Sequence, residues 1–172
     1  EVSRVEFLRG RELPENRGAS MPEGTAAPRR AHLVGACGTG VRGLAEILSQ
    51  WQWQLSGSDQ QSPPETIQRL IRQGFTFHPR HAADNLPAAL DQLIYSPAIP
   101  SDNPERVAAR KRGIPELSYP QAVGQFLQSH RGVCVAGTHG KSTTTAMTAT
   151  ILTEAGLRPS ALFGAELCTS GR

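Results

Sequence analysis

The sequence predicts an α/β fold on a parallel sheet, and three observations predict it. From Arg30 onward, short apolar runs alternate with segments of helical period. Two glycine-rich turns each stand between an apolar run and an amphipathic stretch. Pro, Asn and Gly punctuate the other helical segments at their starts and stops.

Residues 1–28 mix both charge signs with Gly, Pro, Asn and Ser, and carry no apolar period beyond Val5, Phe7 and Leu8. They read as a mobile leader, with Met21 an alternative start. Ala31 to Ala36 is the first predicted strand. Val41, Leu44, Ala45, Leu48 and Trp51 follow at helical spacing on one face, so the turn before them joins strand to helix. A second strand is expected at Trp53 to Ser56. Pro63-Pro64 opens a helix with Ile67, Leu70 and Ile71 inward and Gly74 as its stop, and Phe75 to Phe77 is a short strand. Leu93-Ile94-Tyr95 is a buried strand; Asn103 caps a helix that has Pro104 in its first turn and ends at Gly113. Ile114 to Leu117 supplies another strand, and Tyr119 to His130 a helix with Ala122, Val123, Phe126 and Leu127 inward. The strand Val133 to Ala136 feeds the second glycine turn, followed by a helix from Ser142 to Ala155 stopped by Gly156, and a strand around Ser160 to Phe163.

A complete Rossmann-like unit therefore spans 29–125, and a second domain opens at 131 and is unfinished at Arg172. A lone strand-helix-strand piece exposes most of its apolar face.

The 172 residues, 38% hydrophobic and 19% charged, suit a folded globular chain rather than a disordered one. No apolar run approaches the roughly 20 residues of a membrane span, and no secretory leader is evident, so the cytoplasm is the expected compartment and membrane insertion is not. The net charge of +3 comes from dispersed Lys and Arg without interleaved aromatics, which argues against nucleic acid. Cys37, Cys134 and Cys168 are odd in number and never paired as Cys-x-x-Cys; small buried residues are expected. His78-Pro79-Arg80-His81 offers half a metal site with no third ligand and reads as a surface loop, and Trp51 and Trp53 read as packing residues.

In the first turn Gly38, Gly40 and Gly43 satisfy Gly-x-Gly-x-x-Gly after Gly35. Glycine lets the backbone turn tightly against a diphosphate, and the helix that follows offers free N–H groups and a partial positive charge. Asp59, 21 residues beyond Gly38 at the end of the second strand, is placed to bond a ribose hydroxyl. In the second turn, Gly137-Thr138-His139-Gly140-Lys141-Ser142, backbone amides surround a phosphate, Lys141 reaches the β and γ oxygens of ATP, and the Ser142 hydroxyl ligates Mg²⁺. Val135 stands where the commoner P-loop has its first Gly, so this turn is two residues shorter. His139 either touches substrate or shapes the loop.

Several linked motifs, covering about 30–165, resemble the Mur ligases. They are Gly-Thr-His-Gly-Lys-Ser-Thr-Thr-Thr at 137–145, His-Leu-Val-Gly-x-x-Gly-x-Gly-x-x-Gly-Leu-Ala-Glu at 32–46, Ser56-Gly57-Ser58-Asp59, Tyr95-Ser96-Pro97-Ala98-Ile99 and Asp102-Asn103-Pro104-Glu105. Cys37 and Ser142 depart from the pattern, which usually has Gly and Thr there. The resemblance implies a three-domain, ATP- and Mg²⁺-dependent ligase of peptidoglycan precursor synthesis. It is nearest to the branch that joins L-alanine to the lactyl carboxylate of UDP-N-acetylmuramate through an acyl phosphate. It implies a UDP-sugar site at Gly35, Gly38, Thr39, Gly40, Val41, Gly43, Ser58, Asp59, Ser96, Ala98 and Ile99. It implies an ATP site at Gly137, Thr138, His139, Gly140, Lys141, Ser142 and Thr143, with Lys141 and His139 catalytic. A fragment of this extent is expected to be inactive alone. Two alternatives stay open: the branch that attaches a recycled tripeptide to the same sugar, and, in a different class, an NAD-binding dehydrogenase or regulatory module, which leaves Lys141 without a task.

Overall fold

The structure, a computed structural model, describes residues 4–8 and 29–163, which fall into two units, one running up to Val123 and the other from Gly124 together with residues 4–8. In chain order the strands are β1 Arg4–Leu8, β2 Arg30–Val34, β3 Gln54–Ser58, β4 Thr76–His78, β5 Gln92–Tyr95, β6 Glu116–Ser118 and β7 Gly132–Ala136. The α-helices are α1 Thr39–Gln50, α2 Pro64–Arg72, α3 Pro104–Lys111, α4 Tyr119–Ser129 and α5 Lys141–Glu154.

The first unit holds a five-stranded parallel sheet of order β4-β3-β2-β5-β6. Strands covered by helices on both faces read as continuous apolar runs, and Leu33, Val34, Leu93 and Ile94 are fully buried. α1 lays Val41, Leu44, Ala45 and Leu48 against them, the face its helical spacing predicts. The chain leaves β2 to one side for β3 and β4, then returns to the other side for β5 and β6. The crevice beyond the strand ends at such a reversal is where open α/β sheets bind ligands. Register aligns that edge: Val34 stands opposite both Ser58 and Tyr95, so Gly35, Asp59 and Ser96 all leave the sheet at one level.

The helix ends follow their residues. The Asn103 side chain accepts from the Glu105 and Arg106 amides, Pro104 begins α3, and Gly113 takes φ +66 after its end. Trp53 is buried, with the Arg29 guanidinium 5.6 Å above its ring, and Trp51 is half-buried at the end of α1, consistent with packing roles.

Three expectations change. Ile71, expected inward, is 54% exposed and Leu70 alone of its helix is buried, because α2 packs at the sheet edge beside a three-residue strand that covers a narrow stripe. Residues 4–8, read as part of a mobile leader, form β1, antiparallel to β7 from Arg4 opposite Ala136 to Leu8 opposite Gly132. Residues 160–163 form no strand: a strand exists through its ladder, and no described strand pairs with them. The rest of the leader, Met21 and Cys168 lie outside the described residues.

In the second unit α5 has no buried residue, and Met147 and Ile151 are 60% and 65% exposed, the open apolar face expected there.

Gly57 is where β3 admits no side chain. A Cβ there would lie 2.3 Å from the Leu33 carbonyl oxygen and 2.7 Å from the Phe75 ring. Gly57→Ala is expected to destabilise the first unit by about 1–3 kcal/mol, read as a lowered urea midpoint. Gly124→Ala, in a helix with nothing within 4 Å, should instead stabilise by about 0.5–1 kcal/mol.

Candidate functional site

The chain turns sharply out of β2 at Gly35, which has φ +79; its amide and that of Ala36 donate to the Ser58 carbonyl at 2.9 and 3.0 Å. A Cβ on Gly35 would stand 3.0 Å from Ser96 Cβ and 3.4 Å from Ile99, so the turn is pressed against the segment after β5. That segment is clamped in turn. Ser96 N donates to the Val34 carbonyl at 3.0 Å, and Arg106 of α3 donates from Nη1 to the Ile99 carbonyl at 2.8 Å while stacking 3.6 Å over Tyr95. The sequence thus places Gly35, Ser96 and Ile99 together, and Ala98 is exposed beside them.

α1 begins at Thr39 with Gly38 as its N-cap and no side chain capping it. Its first intrahelical bond runs from Arg42 N to Gly38 O at 2.8 Å. The amides of Thr39, Gly40 and Val41 precede that bond and have no intrahelical partner, which is the donor arrangement that takes an anion. Gly40 is close to the Tyr119 ring, 2.9 Å from where its Cβ would be. Val41 is buried, so its side chain belongs to the core and only its amide can serve a ligand; Gly43, two residues on, is half-buried.

Asp59 holds the glycine loop. Its Oδ2 accepts from Cys37 N at 2.9 Å and its Oδ1 from Gln61 N at 3.1 Å. A carboxylate has about four acceptor positions, so capacity for a ribose hydroxyl remains. Cys37 and Cys134 are half-buried and unpaired, not buried as expected. Burial, reinforced by Asp59, pushes the Cys37 thiol above its ordinary range against the opposing effects of Ser62 and Arg42.

Behind this surface lies a cluster of polar groups. Ser58 is wholly buried, so its hydroxyl does not face a ligand; it donates to Glu105 Oε2 at 2.5 Å and lies 2.7 Å from His81 Nδ1. Asn85 Nδ2 donates to Glu105 Oε1 at 2.6 Å, and His32 Nε2 stands 3.5 Å from the same oxygen, its Nδ1 being 2.8 Å from Ser56 Oγ. Burial alone would raise the Glu105 carboxyl, but the neighbouring His32 ring and the hydrogen bonds from Ser58 and Asn85 outweigh it and bring it down to about 2. Burial and neighbouring His32 hold His78 below the usual histidine range, against a smaller opposing pull from Glu105. His81, read as part of a surface loop, keeps only 9% of its side chain exposed. Among the described residues no group of three His, Cys, Asp or Glu could hold a metal ion.

In the second unit Gly140 takes φ 76 as the N-cap of α5, again without a side-chain cap. Lys141 folds over its own loop, donating from Nζ to the carbonyls of Gly137 at 2.7 Å and Thr138 at 3.2 Å. Thr138, His139 and Thr143 are exposed and Ser142 half-buried. An uncapped helix start, a left-handed glycine and an ammonium across the loop mouth fit a polyphosphate.

Sequence reasoning gave Glu105, Asn85, His32 and Arg106 no place in the site, and weighed His81 only as half of a metal site before reading it as a surface loop. Ser58 and Glu105 are 47 positions apart, and nothing in a single sequence pairs them. The signal available was the acidic residue in the first turn of α3, read as a helix start and as part of the Asp102–Glu105 motif but given no role in the site.

The Glu105 carboxyl has a folded value of about 2 against 4.5 ordinarily. Its stabilising effect is therefore complete above the unfolded value and is lost as pH falls toward the folded one, amounting to about 3 kcal/mol. Urea midpoints taken through this acid range should fall more steeply for the parent than for Glu105→Gln.

Comparison with known proteins agrees with this architecture. The family described as "Mur ligase family, catalytic domain" matches residues 30–131. The UDP-N-acetylmuramate--L-alanine ligase of Nitrosomonas europaea is 45% identical over 141 residues, 82% of this chain and 29% of that protein. That of Myxococcus xanthus is 43% identical over 80% of this chain and 29% of its own length. The chain thus spans about 30% of the length of the curated relatives it matches. Among solved structures, UDP-N-acetylmuramate-alanine ligase from Thermotoga maritima superposes with a TM-score of 0.66 at 31% identity, covering 74% of this chain and 30% of that one. The UDP-N-acetylmuramate:L-alanyl-gamma-D-glutamyl-meso-diaminopimelate ligase from Neisseria meningitides follows at 0.64 and 28%, covering 76% and 41%. With a family match over more than half its residues, on a parallel sheet whose strand-end edge carries the glycine loop, the chain belongs to the Mur ligase family.

Proposed function

We propose that this chain comprises the UDP-sugar-binding domain and the opening of the ATPase domain of an ATP-dependent ligase that joins L-alanine to the lactyl carboxylate of UDP-N-acetylmuramate. The observation that carries this reading is the crevice at the sheet reversal, where Gly35 is packed on Ser96 and Ile99 and the uncapped start of α1 faces outward. The diphosphate would lie on the amides of Thr39, Gly40 and Val41, with Gly38 and Gly43 allowing close approach and Asp59 holding the loop and a ribose hydroxyl. The residues from Gly137 to Thr143 would take the triphosphate of ATP, with Lys141 released from the Gly137 and Thr138 carbonyls to reach the phosphate oxygens. Mg²⁺ on Ser142 would neutralise phosphate charge, and His139 would shape the loop or contact substrate.

Alanine rather than tripeptide as the amine is supported by identity: curated relatives named as L-alanine ligases reach 45%, and among solved structures the L-alanine ligase stands at 31% against 26–28% for the murein peptide ligases. A nicotinamide enzyme would leave Lys141 and its loop without a task. No helix among the described residues is long and apolar enough to cross a membrane.

Charge-assisted hydrogen bonds of about 1.5–3 kcal/mol each face an association cost of about 4–15 kcal/mol. The P-loop of this chain alone should therefore bind ATP weakly and support no ligase turnover. Titration with UDP-N-acetylmuramate and, separately, NADH, followed by Trp fluorescence, tests the first site. Saturable binding of the UDP-sugar and not NADH is expected, and the reverse result discards the reading. In the complete ligase, Lys141→Ala should lower turnover by at least about 100-fold; an unchanged rate removes the ATP assignment.

A further inference from the structure

The buried cluster fixes where a proton sits. A carboxylate only accepts, so the single Ser58 hydroxyl proton is given to Glu105 Oε2 at 2.5 Å. The 2.7 Å contact between Ser58 Oγ and His81 Nδ1 then needs a proton on Nδ1. In neutral His81 the other ring nitrogen, Nε2, is left as an acceptor. His81 lines a cavity of about 370 Å³ with His78, Pro79, Arg80, Ala82 and Asn85. This cavity adjoins the strand-end edge of the candidate site, since Asp59 N donates to the His78 carbonyl at 3.2 Å and Asp59 holds the glycine loop.

We propose that Glu105 is a positioning residue which, through Ser58, keeps the His81 proton on Nδ1, so that Nε2 accepts a hydrogen bond from an N–H or O–H of the nucleoside end of the bound UDP-sugar. The ligand half rests on the function proposed above; the proton half does not. Beyond an acid such as Asp59 at the second strand of a dinucleotide-type fold lies the nucleoside, which places that end of the ligand on the β4 side, where the cavity is.

Glu105→Gln makes the dependence visible. Asn85 Nδ2 and Ala82 N both donate to Oε1, at 2.6 and 3.4 Å, so the amide oxygen takes that place and the amide nitrogen faces Ser58. Ser58 then accepts from Gln and gives its own proton to His81 Nδ1, which moves the imidazole hydrogen to Nε2. Nitrogen-15 spectra of the histidine rings in the ligand-free chain at about pH 8, above the ordinary histidine range, should show His81 as the Nδ1–H tautomer in the parent and as Nε2–H in Glu105→Gln. An Nε2–H parent overturns the proposal, and the parent spectrum decides even if the variant does not fold.

UDP-N-acetylmuramate should bind Glu105→Gln and His81→Asn about tenfold more weakly, the latter because the shorter Asn amide can still donate to Ser58 but places no acceptor where Nε2 stood. Parent-like affinity in both variants overturns the ligand half. Uridine diphosphate against its 3-methyl analogue separates the sources of the donor: weaker binding of the analogue assigns it to the base, equal binding with a loss in His81→Asn assigns it to the ribose. A parent that binds no UDP-sugar sinks the function proposed above, while the tautomer result stands by itself.

Discussion

Glu105 lies in the first turn of α3 with no solvent exposure, and the groups around its carboxylate come from three places: His32 on β2, Ser58 on β3, and His81, Ala82 and Asn85 in the connection after β4. A buried charge is tolerated only when donors replace its water, and removing any one of them leaves a desolvated group. The requirement therefore couples elements that apolar packing alone would let slide. Ser58 is the residue before Asp59, and Asp59 holds Cys37 of the glycine loop, so the loop geometry is tied to the cluster by two links.

The front of the site rests on a different constraint. Gly35 has a left-handed backbone, and a Cβ there would crowd Ser96 and Ile99 at 3.0 and 3.4 Å, so glycine lets the loop and the segment after β5 approach closely. Arg106 carries that constraint to α3. It bonds the Ile99 carbonyl, pairs with Glu116 of β6 and stacks on Tyr95, so the segment is fixed from behind. The outer surface of the loop is left as uncapped amides, so the proposed diphosphate site is backbone chemistry.

In the second unit α5 is organised by its own threonines. Thr145, Thr148, Thr150 and Thr153 each return a hydroxyl to the carbonyl four residues back, so these hydroxyls are satisfied within the helix itself. Lys141 sits on its loop carbonyls, which satisfy its ammonium and with which the proposed phosphate would have to compete.

Among the described residues, the alternation of apolar runs and helical periods was enough to place six of the seven strands and all five α-helices to within a few residues, because both depend on local spacing and on Pro, Asn and Gly at the ends. Both glycine loops were legible for the same reason: their conformations need particular residues in a row. β1 was not, since a five-residue strand far from its partner is specified by pairing with β7 rather than by its own period. Residues 160–163 erred the other way, with a strand-like composition and no described ladder to join. Only the tertiary structure decided that Ser58 faces inward, that Asp59 holds Cys37, and that His81 is an interior group bound to Ser58. Those facts arise from register and from a carboxylate reached across 47 positions of sequence, and contacts over such separations leave no periodic trace in a single chain.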